Sequence, residues 1–248
     1  MTAASARASL AYSCAGHVYS HIFDPIFFVV ALALPKVMGV PYEDALLLII
    51  AGKLLYGLLA PGAGWLGDRW SAVGMMLIFF IGLGLAGILT GLADTPFQLA
   101  LGLAGLGFFG SIYHPVGTAW LVRNATNRGK ALGVNGIFGG LGAALGGIVA
   151  GALTDAISWR AAFILPGLVV LATGALFAWS LKRRHVVEIK HDLTPHVATS
   201  KGEAIHAGII LTITMLCTGL IYQTTQPALP KLFEARMGDM LGDGLLGV

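Results

Sequence analysis

The sequence predicts an all-α, polytopic membrane bundle, and three observations carry that prediction. First, its 248 residues are 56% hydrophobic and only 11% charged, with a mean hydropathy of +0.82; a soluble domain carries roughly 25% charge to stay hydrated. Second, the charges gather in short clusters between apolar runs, and a run of ~20 residues crosses a hydrocarbon core of ~30 Å. Third, the runs do not alternate polar with apolar residues. Helices, which satisfy every backbone amide within the segment, are therefore expected rather than barrel strands.

Seven spans follow in order, over residues 10–34, 45–66, 73–92, 95–122, 131–157, 160–181 and 207–228. The first is preceded by Arg7, but His17, His21 and Asp24 interrupt any apolar signal core, so it reads as a retained helix. The second holds Lys53 in its middle, and the third is uninterrupted. In the fourth, Pro115 follows His114 and removes a backbone donor, so a kink is expected there. The fifth carries Gly133, Gly136, Gly139, Gly140, Gly142, Gly146, Gly147 and Gly151, residues that let helices approach closely. Trp159-Arg160 opens the sixth. The seventh ends in the polar run Tyr222-Gln223-Thr224-Thr225 ahead of Pro227 and Pro230.

The domain organisation expected is a six-helix bundle over 1–181, a polar linker over 182–206, and the first helix of a second bundle with a short tail over 207–248. With the N-terminus cytoplasmic, the inner side holds Arg7, Arg69, Arg123, Arg128, Lys130, Lys182, Arg183, Arg184, Lys190 and Lys201, against Lys36, Arg160, Lys231 and Arg236 outside. This basic asymmetry sets the orientation of a multi-pass protein of a bacterial inner membrane. The formal net charge of +3 is accounted for by topology and does not indicate nucleic acid. The linker histidines His185, His191 and His196 are spaced six and five apart, which suits no common ligand pattern. Cys14 and Cys217 both fall in apolar runs, with no disulfide or metal partner at ligand spacing.

Between the second and third spans lies Gly64-Trp65-Leu66-Gly67-Asp68-Arg69. It resembles the loop signature G-x-L-a-D-r-x-G-r-k of the major facilitator superfamily. Gly64, Leu66, Asp68 and Arg69 match; Ser71, Ala72 and Val73 depart from the second half. Gly142-Ala-Ala-Leu-Gly146-Gly147 is similar to the g-x-x-x-G-P element of the family's antiporters, with Gly147 in the proline position. Tyr113-His114-Pro115, Trp159-Arg160 and the polar first helix resemble the branch that includes fosmidomycin-resistance-type exporters. The resemblance implies a six-helix half, built from two three-helix inverted repeats, plus a seventh span that begins the second half. It also implies that Gly64, Asp68, Arg69 and Arg123 form a gating latch, and that Gly142, Gly146 and Gly147 pack helices.

Ionisable groups near the bilayer centre cost about 2.5–3.5 kcal/mol each, which marks them as functional candidates. His17, His21 and Asp24 stand at i, i+4 and i+7, within ~60° of arc on one helix face. The family's first helix lines the central cavity, so the resemblance turns that face inward. Asp24, His21 and Lys53 are then proton-coupling residues, with a Lys53–Asp24 ion pair expected from their similar depth. His17, His21, His114, Tyr113, Tyr222 and Gln223 are substrate contacts. No Gly-x-Ser-x-Gly, phosphate loop or zinc spacing is read, so no enzyme, cofactor or metal is expected.

The function implied is proton-coupled secondary transport of a small organic solute, directed to export, by alternating access. The partners are that solute, protons and the bilayer. The family fold has twelve spans with its substrate site between halves, so a seven-span chain admits a rival reading. It is then a truncated or non-transporting remnant or scaffold that needs a missing C-terminal half or another partner.

Overall fold

The sequence folds into helices at the expected places, and a computed structural model describes residues 3–188 and 200–245. The elements are α1 (Ala3–Val30), α2 (Leu34–Met38), α3 (Tyr42–Leu47), α4 (Ile50–Arg69), α5 (Ala72–Gly91) and α6 (Pro96–Gly110), then a π-helical turn (Tyr113–Gly117). They continue as α7 (Thr118–Asn124), α8 (Arg128–Ala156), α9 (Trp159–Lys182) and α10 (Lys201–Leu245). Side-chain caps start α5, α6 and α8. Ser71 accepts from Gly74 N at 2.9 Å, Thr95 from Gln98 N at 3.2 Å and Asn127 from Lys130 N at 3.0 Å. Each satisfies one of the donors that a first turn leaves free.

Among the described residues, six helical stretches are long and apolar enough to cross a membrane: Tyr42–Arg69, Ala72–Gly91, Pro96–Asn124, Arg128–Ala156, Trp159–Lys182 and Lys201–Met237. The 28-residue α1 is not among them. Its serines Ser5, Ser9 and Ser13 are all buried against protein. Span one is thus held by packing rather than by its own apolarity.

Helix α10 differs from the expected seventh span at both ends. It starts at Lys201 because Ser200 and Glu203 form a reciprocal capping box: Glu203 N donates to Ser200 Oγ at 3.2 Å and Ser200 N to Glu203 Oε2 at 2.9 Å. It also runs on through Pro227 and Pro230 to Leu245, so most of the expected tail is helical. His191 and His196 lie outside the described residues; His185 lies over the Trp179 ring, with centroids 5.3 Å apart.

Two parallel helix pairs make the closest contacts. In the first, Gly139, Gly142 and Gly146 of α8 lie on His17, Val18 and Ile22 of α1, in rising register. A Cβ added at Gly142 would sit 2.9 Å from the Val18 Cα, which no real side chain tolerates. In the second, Gly52 of α4 and Gly107 of α6 meet backbone to backbone; a Cβ on Gly107 would lie 2.6 Å from the Gly52 Cα. Helices α5 and α9 run antiparallel, with Gly84 against Gly167. Around these seams sit Phe27, Phe79, Phe80, Trp120, Phe163 and Phe177, all fully buried. Phe80 and Phe177 meet edge to face at 5.6 Å.

Helix α10 lies outside this packing. None of its most apolar window is buried, and it touches α3 where the Tyr42 hydroxyl donates to Pro227 O at 3.3 Å.

Candidate functional site

His21 and Asp24 of α1, though not His17, face a cavity of about 270 Å³ whose walls also include Lys53, Tyr56, His114, Tyr222 and Gln223. Six elements contribute: α1, α4, α5, α6, the π-helical turn and α10. The turn follows from Pro115, which has no N–H to donate; the bulge that results carries His114 out to the cavity, while Tyr113 points back into the core.

Asp24 and Lys53 form the expected ion pair between α1 and α4, and Lys53 Nζ also donates to Gln223 Oε1 of α10 at 3.0 Å. Lys53 is 23% exposed and Asp24 33%, so neither is fully enclosed by the protein. The Lys53 ammonium also lies 5.7 Å from the centre of the Phe28 ring.

Three imidazoles gather on the N-terminal side of Asp24, His17 and His21 from α1 and His114 from the π-helical turn. His17 and His21 have ring centroids 5.2 Å apart, His17 and His114 5.4 Å, and His21 and His114 5.1 Å. One ring nitrogen of each lies within 4.8 Å of the others. His17 Nδ1 is 2.8 Å from the backbone oxygen of Asn135. A carbonyl only accepts, so Nδ1 carries the proton there and Nε2 keeps its lone pair. Among the described residues, this triad is the cluster able to hold a metal ion.

Tyr113 is fully buried behind the histidines. Its ring stacks on His17 at 5.1 Å and its hydroxyl donates to Ser13 O at 2.7 Å. Asn135 Nδ2 donates to that hydroxyl at 2.9 Å and to Ser13 Oγ at 3.2 Å. Tyr113 is thereby placed as a positioning residue that ties α1, the π-helical turn and α8 together. Tyr222 lies on the cavity wall, its ring 6.1 Å from His21, and its hydroxyl is buried with no hydrogen-bond partner among the described residues.

Of the loop residues, Asp68 and Arg123 meet. Arg123 Nη2 donates to Asp68 Oδ1 at 3.0 Å. Gly64 faces Pro115 and Gly67 faces Val116 across α4 and the π-helical turn, while Arg69 lies 5.9 Å from the centre of the Trp65 ring. Gly142 and Gly146 stand in the α1–α8 seam; Gly147 does not, since an added Cβ there would meet only Val29 at 3.9 Å.

Sequence reasoning missed Asn135, Tyr56 and Glu188. Asn135 was visible as a lone amide in a glycine-rich apolar helix, and Tyr56 as an aromatic one turn beyond Lys53. Glu188 left no local signal. It accepts from Ala72 N at 2.6 Å and from Ser71 Oγ at 2.9 Å, capping α5 from the far end of the bundle's sequence.

Comparison with known proteins agrees with this architecture. The sequence model of the Major Facilitator Superfamily matches residues 12–246. A puromycin resistance protein of Streptomyces alboniger is 34% identical over 138 residues, covering 53% of this chain and 27% of the relative. A probable 4-methylmuconolactone transporter of Cupriavidus pinatubonensis is 37% identical over 121 residues, covering 44% and 28%. Among solved structures, an auto-inhibited POT family peptide transporter superposes with a TM-score of 0.54 at 18% identity, over 87% of this chain and 48% of its own. The POT family transporter PepTSo gives 0.56 at 15%, over 93% and 48%. The chain spans about a quarter of the length of these curated relatives and about half that of the solved chains.

Proposed function

Because the chain belongs to the Major Facilitator Superfamily, we propose that it serves proton-coupled transport of a small organic solute across a bacterial inner membrane, outward, by alternating access. The observation that carries this reading is the Asp24–Lys53 pair, which joins α1 to α4 at the wall of the cavity. The names of the two curated relatives, one a resistance protein and one a probable transporter, support an organic solute. The Tyr113-His114-Pro115 pattern, similar to that of fosmidomycin-resistance-type exporters, supports the outward direction, and the basic asymmetry supports a cytoplasmic N-terminus.

The pair supplies the coupling. Separating two ionised groups at membrane depth leaves each exposed to a cost of about 2.5–3.5 kcal/mol, so the bundle resists parting them while both are charged. A proton on Asp24 cancels that restraint and frees the Lys53 ammonium for an anionic or polar group of the solute. Return of the carboxylate expels the solute from Lys53. His21, one turn from Asp24 on the same face and lining the same cavity, passes the proton. His17, His114, Tyr222 and Gln223 contact the solute. Asp68, Arg69 and Arg123 latch the α4–α5 loop to the end of α7 and, with Gly64 allowing close approach, hold one gate shut. No step requires covalent chemistry by the protein.

Reconstitution into vesicles loaded with a pH-sensitive dye tests the proposal. Puromycin or 4-methylmuconolactone, presented under an imposed proton gradient, should move protons in the wild type. Asp24→Asn should abolish uphill accumulation and leave downhill exchange. If Asp24→Asn accumulates solute normally, the coupling role of Asp24 is lost; if no solute moves protons, the scaffold reading takes its place.

A further inference from the structure

Histidine is the side chain best suited to bind a borderline divalent cation through a neutral nitrogen, and this chain converges three of them on one point. His17 and His21 stand at i and i+4 on α1, the spacing by which a helix presents two imidazoles to one zinc ion. His114 arrives from the π-helical turn, 93 positions further along the chain than His21. One nitrogen from each lies within 4.8 Å of the others. Nitrogens bound tetrahedrally at 2.0–2.1 Å are about 3.4 Å apart, so closing the difference falls to rotation of His21 and His114, the two that line the cavity.

A second observation points the same way. Metal-bound imidazoles characteristically donate their other N–H to a carbonyl or carboxylate, which fixes the tautomer and aims the lone pair. His17 does this already: its Nδ1 donates to Asn135 O at 2.8 Å, and Asn135 is in turn held by the Ser13 and Tyr113 hydroxyls. The Tyr113 ring stacks on the same imidazole. The orientation of His17 is therefore fixed by one hydrogen bond and one stacked ring, more than a freely rotating solute contact needs. The nearest fixed charge, the Lys53 ammonium, is neutralised by Asp24, so it does not bar a cation from the neighbouring cluster.

We propose that His17, His21 and His114 form a binding site for one divalent transition-metal ion of the zinc class, with its fourth position open to the central cavity. Three neutral nitrogens without a thiolate select zinc, cobalt, nickel or copper over calcium and magnesium, which require oxygen donors. Three protein ligands with an open position is the arrangement that admits an exogenous ligand. The ion would join α1 to the turn between α6 and α7, linking the first helix of each three-helix repeat. The site shares its three histidines with the transport reading and, while occupied, takes them from the proton and the solute, but ion binding is measured without transport, so failure of one reading is distinguishable from failure of the other.

The test is titration of the purified, untagged protein in detergent with Co²⁺, followed by its visible d–d absorption. One ion per chain is expected, with the intense bands of a four-coordinate site. His17→Gln and His114→Gln should each weaken binding by ~100-fold or more, beyond what loss of an outer-sphere partner causes. His185→Gln, on the linker side, should leave it unchanged. His114→Cys should retain the ion and add a thiolate-to-cobalt charge-transfer band in the near ultraviolet, which a merely structural histidine would not produce. Failure of monodisperse wild-type protein to bind Co²⁺ overturns the proposal. So does binding that survives the triple His→Gln substitution at wild-type strength.

Discussion

Helices α8 and α10 both lie beside α1, and they meet it in opposite ways. Helix α8 presents a glycine edge, Gly139, Gly142 and Gly146, so that its backbone rests on the α1 backbone. Helix α10 reaches the same cavity only through side-chain tips, Tyr222 and Gln223, and exposes the rest of its apolar window. One contact is backbone against backbone; the other is a side-chain contact with one hydrogen bond, Lys53 to Gln223. Precision in this site belongs to the six-helix bundle, and adjustability to α10.

The comparison breaks most severely at the seam. Gly142→Leu would drive a branched side chain into the Val18 backbone, where overpacking costs about 1–3 kcal/mol and more when backbone must move. The expected outcome is loss of most monodisperse protein in size-exclusion chromatography. Next comes the ion pair. Lys53→Met leaves Asp24 without a partner, which for a fully buried pair costs ~3–5 kcal/mol; the part exposure of both groups reduces that here. The thermal midpoint should fall, and Asp24→Asn combined with Lys53→Met should recover it without recovering uphill transport. Recovery of transport as well would remove the pair from the mechanism.

On the adjustable side the effects are smaller. Gln223→Ala removes one hydrogen bond to Lys53, worth about 1.5–3 kcal/mol when charge-assisted but less at an exposed site. A several-fold rise in KM with unchanged thermal midpoint is expected; a fallen midpoint would make α10 part of the rigid seam. The smallest effect sharpens the seam itself. Gly147→Ala places its methyl in ordinary contact with Val29 and should shift stability by less than about 0.5 kcal/mol.

Much of this was legible because lipid enforces a simple grammar. Apolar runs bounded by Ser71, Thr95, Asn127 and Ser158 marked where helices begin, and the α10 start was written in Ser200 and Glu203, although the apolar run alone put it six residues late. The Asp24–Lys53 and Asp68–Arg123 pairs could be expected because charges of opposite sign at matched depth have few other partners. What stayed hidden depends on direction around a helix. Gly142 and Gly146 are one turn apart and share an edge with Gly139, whereas Gly147 is rotated ~100° from Gly146, and composition does not distinguish them. The histidine triad was half visible in the i, i+4 spacing of His17 and His21. Its third member needed the fold, because nothing in the sequence around His114 says which helix the Pro115 bulge will face.

The parallel course of α1 and α8 has a consequence for biogenesis. Neighbours in this pair are separated by the whole of α2 to α7, so during synthesis α1 emerges long before the surface that buries its serines and histidines exists. It is also the long helix least able to partition into lipid unaided. The chain must therefore hold its most polar span in waiting, shielded by the insertion machinery or by early neighbours, until α8 arrives to claim it. Helix α1, which carries His17, His21 and Asp24, thus reaches its final surroundings only once α8 has been made.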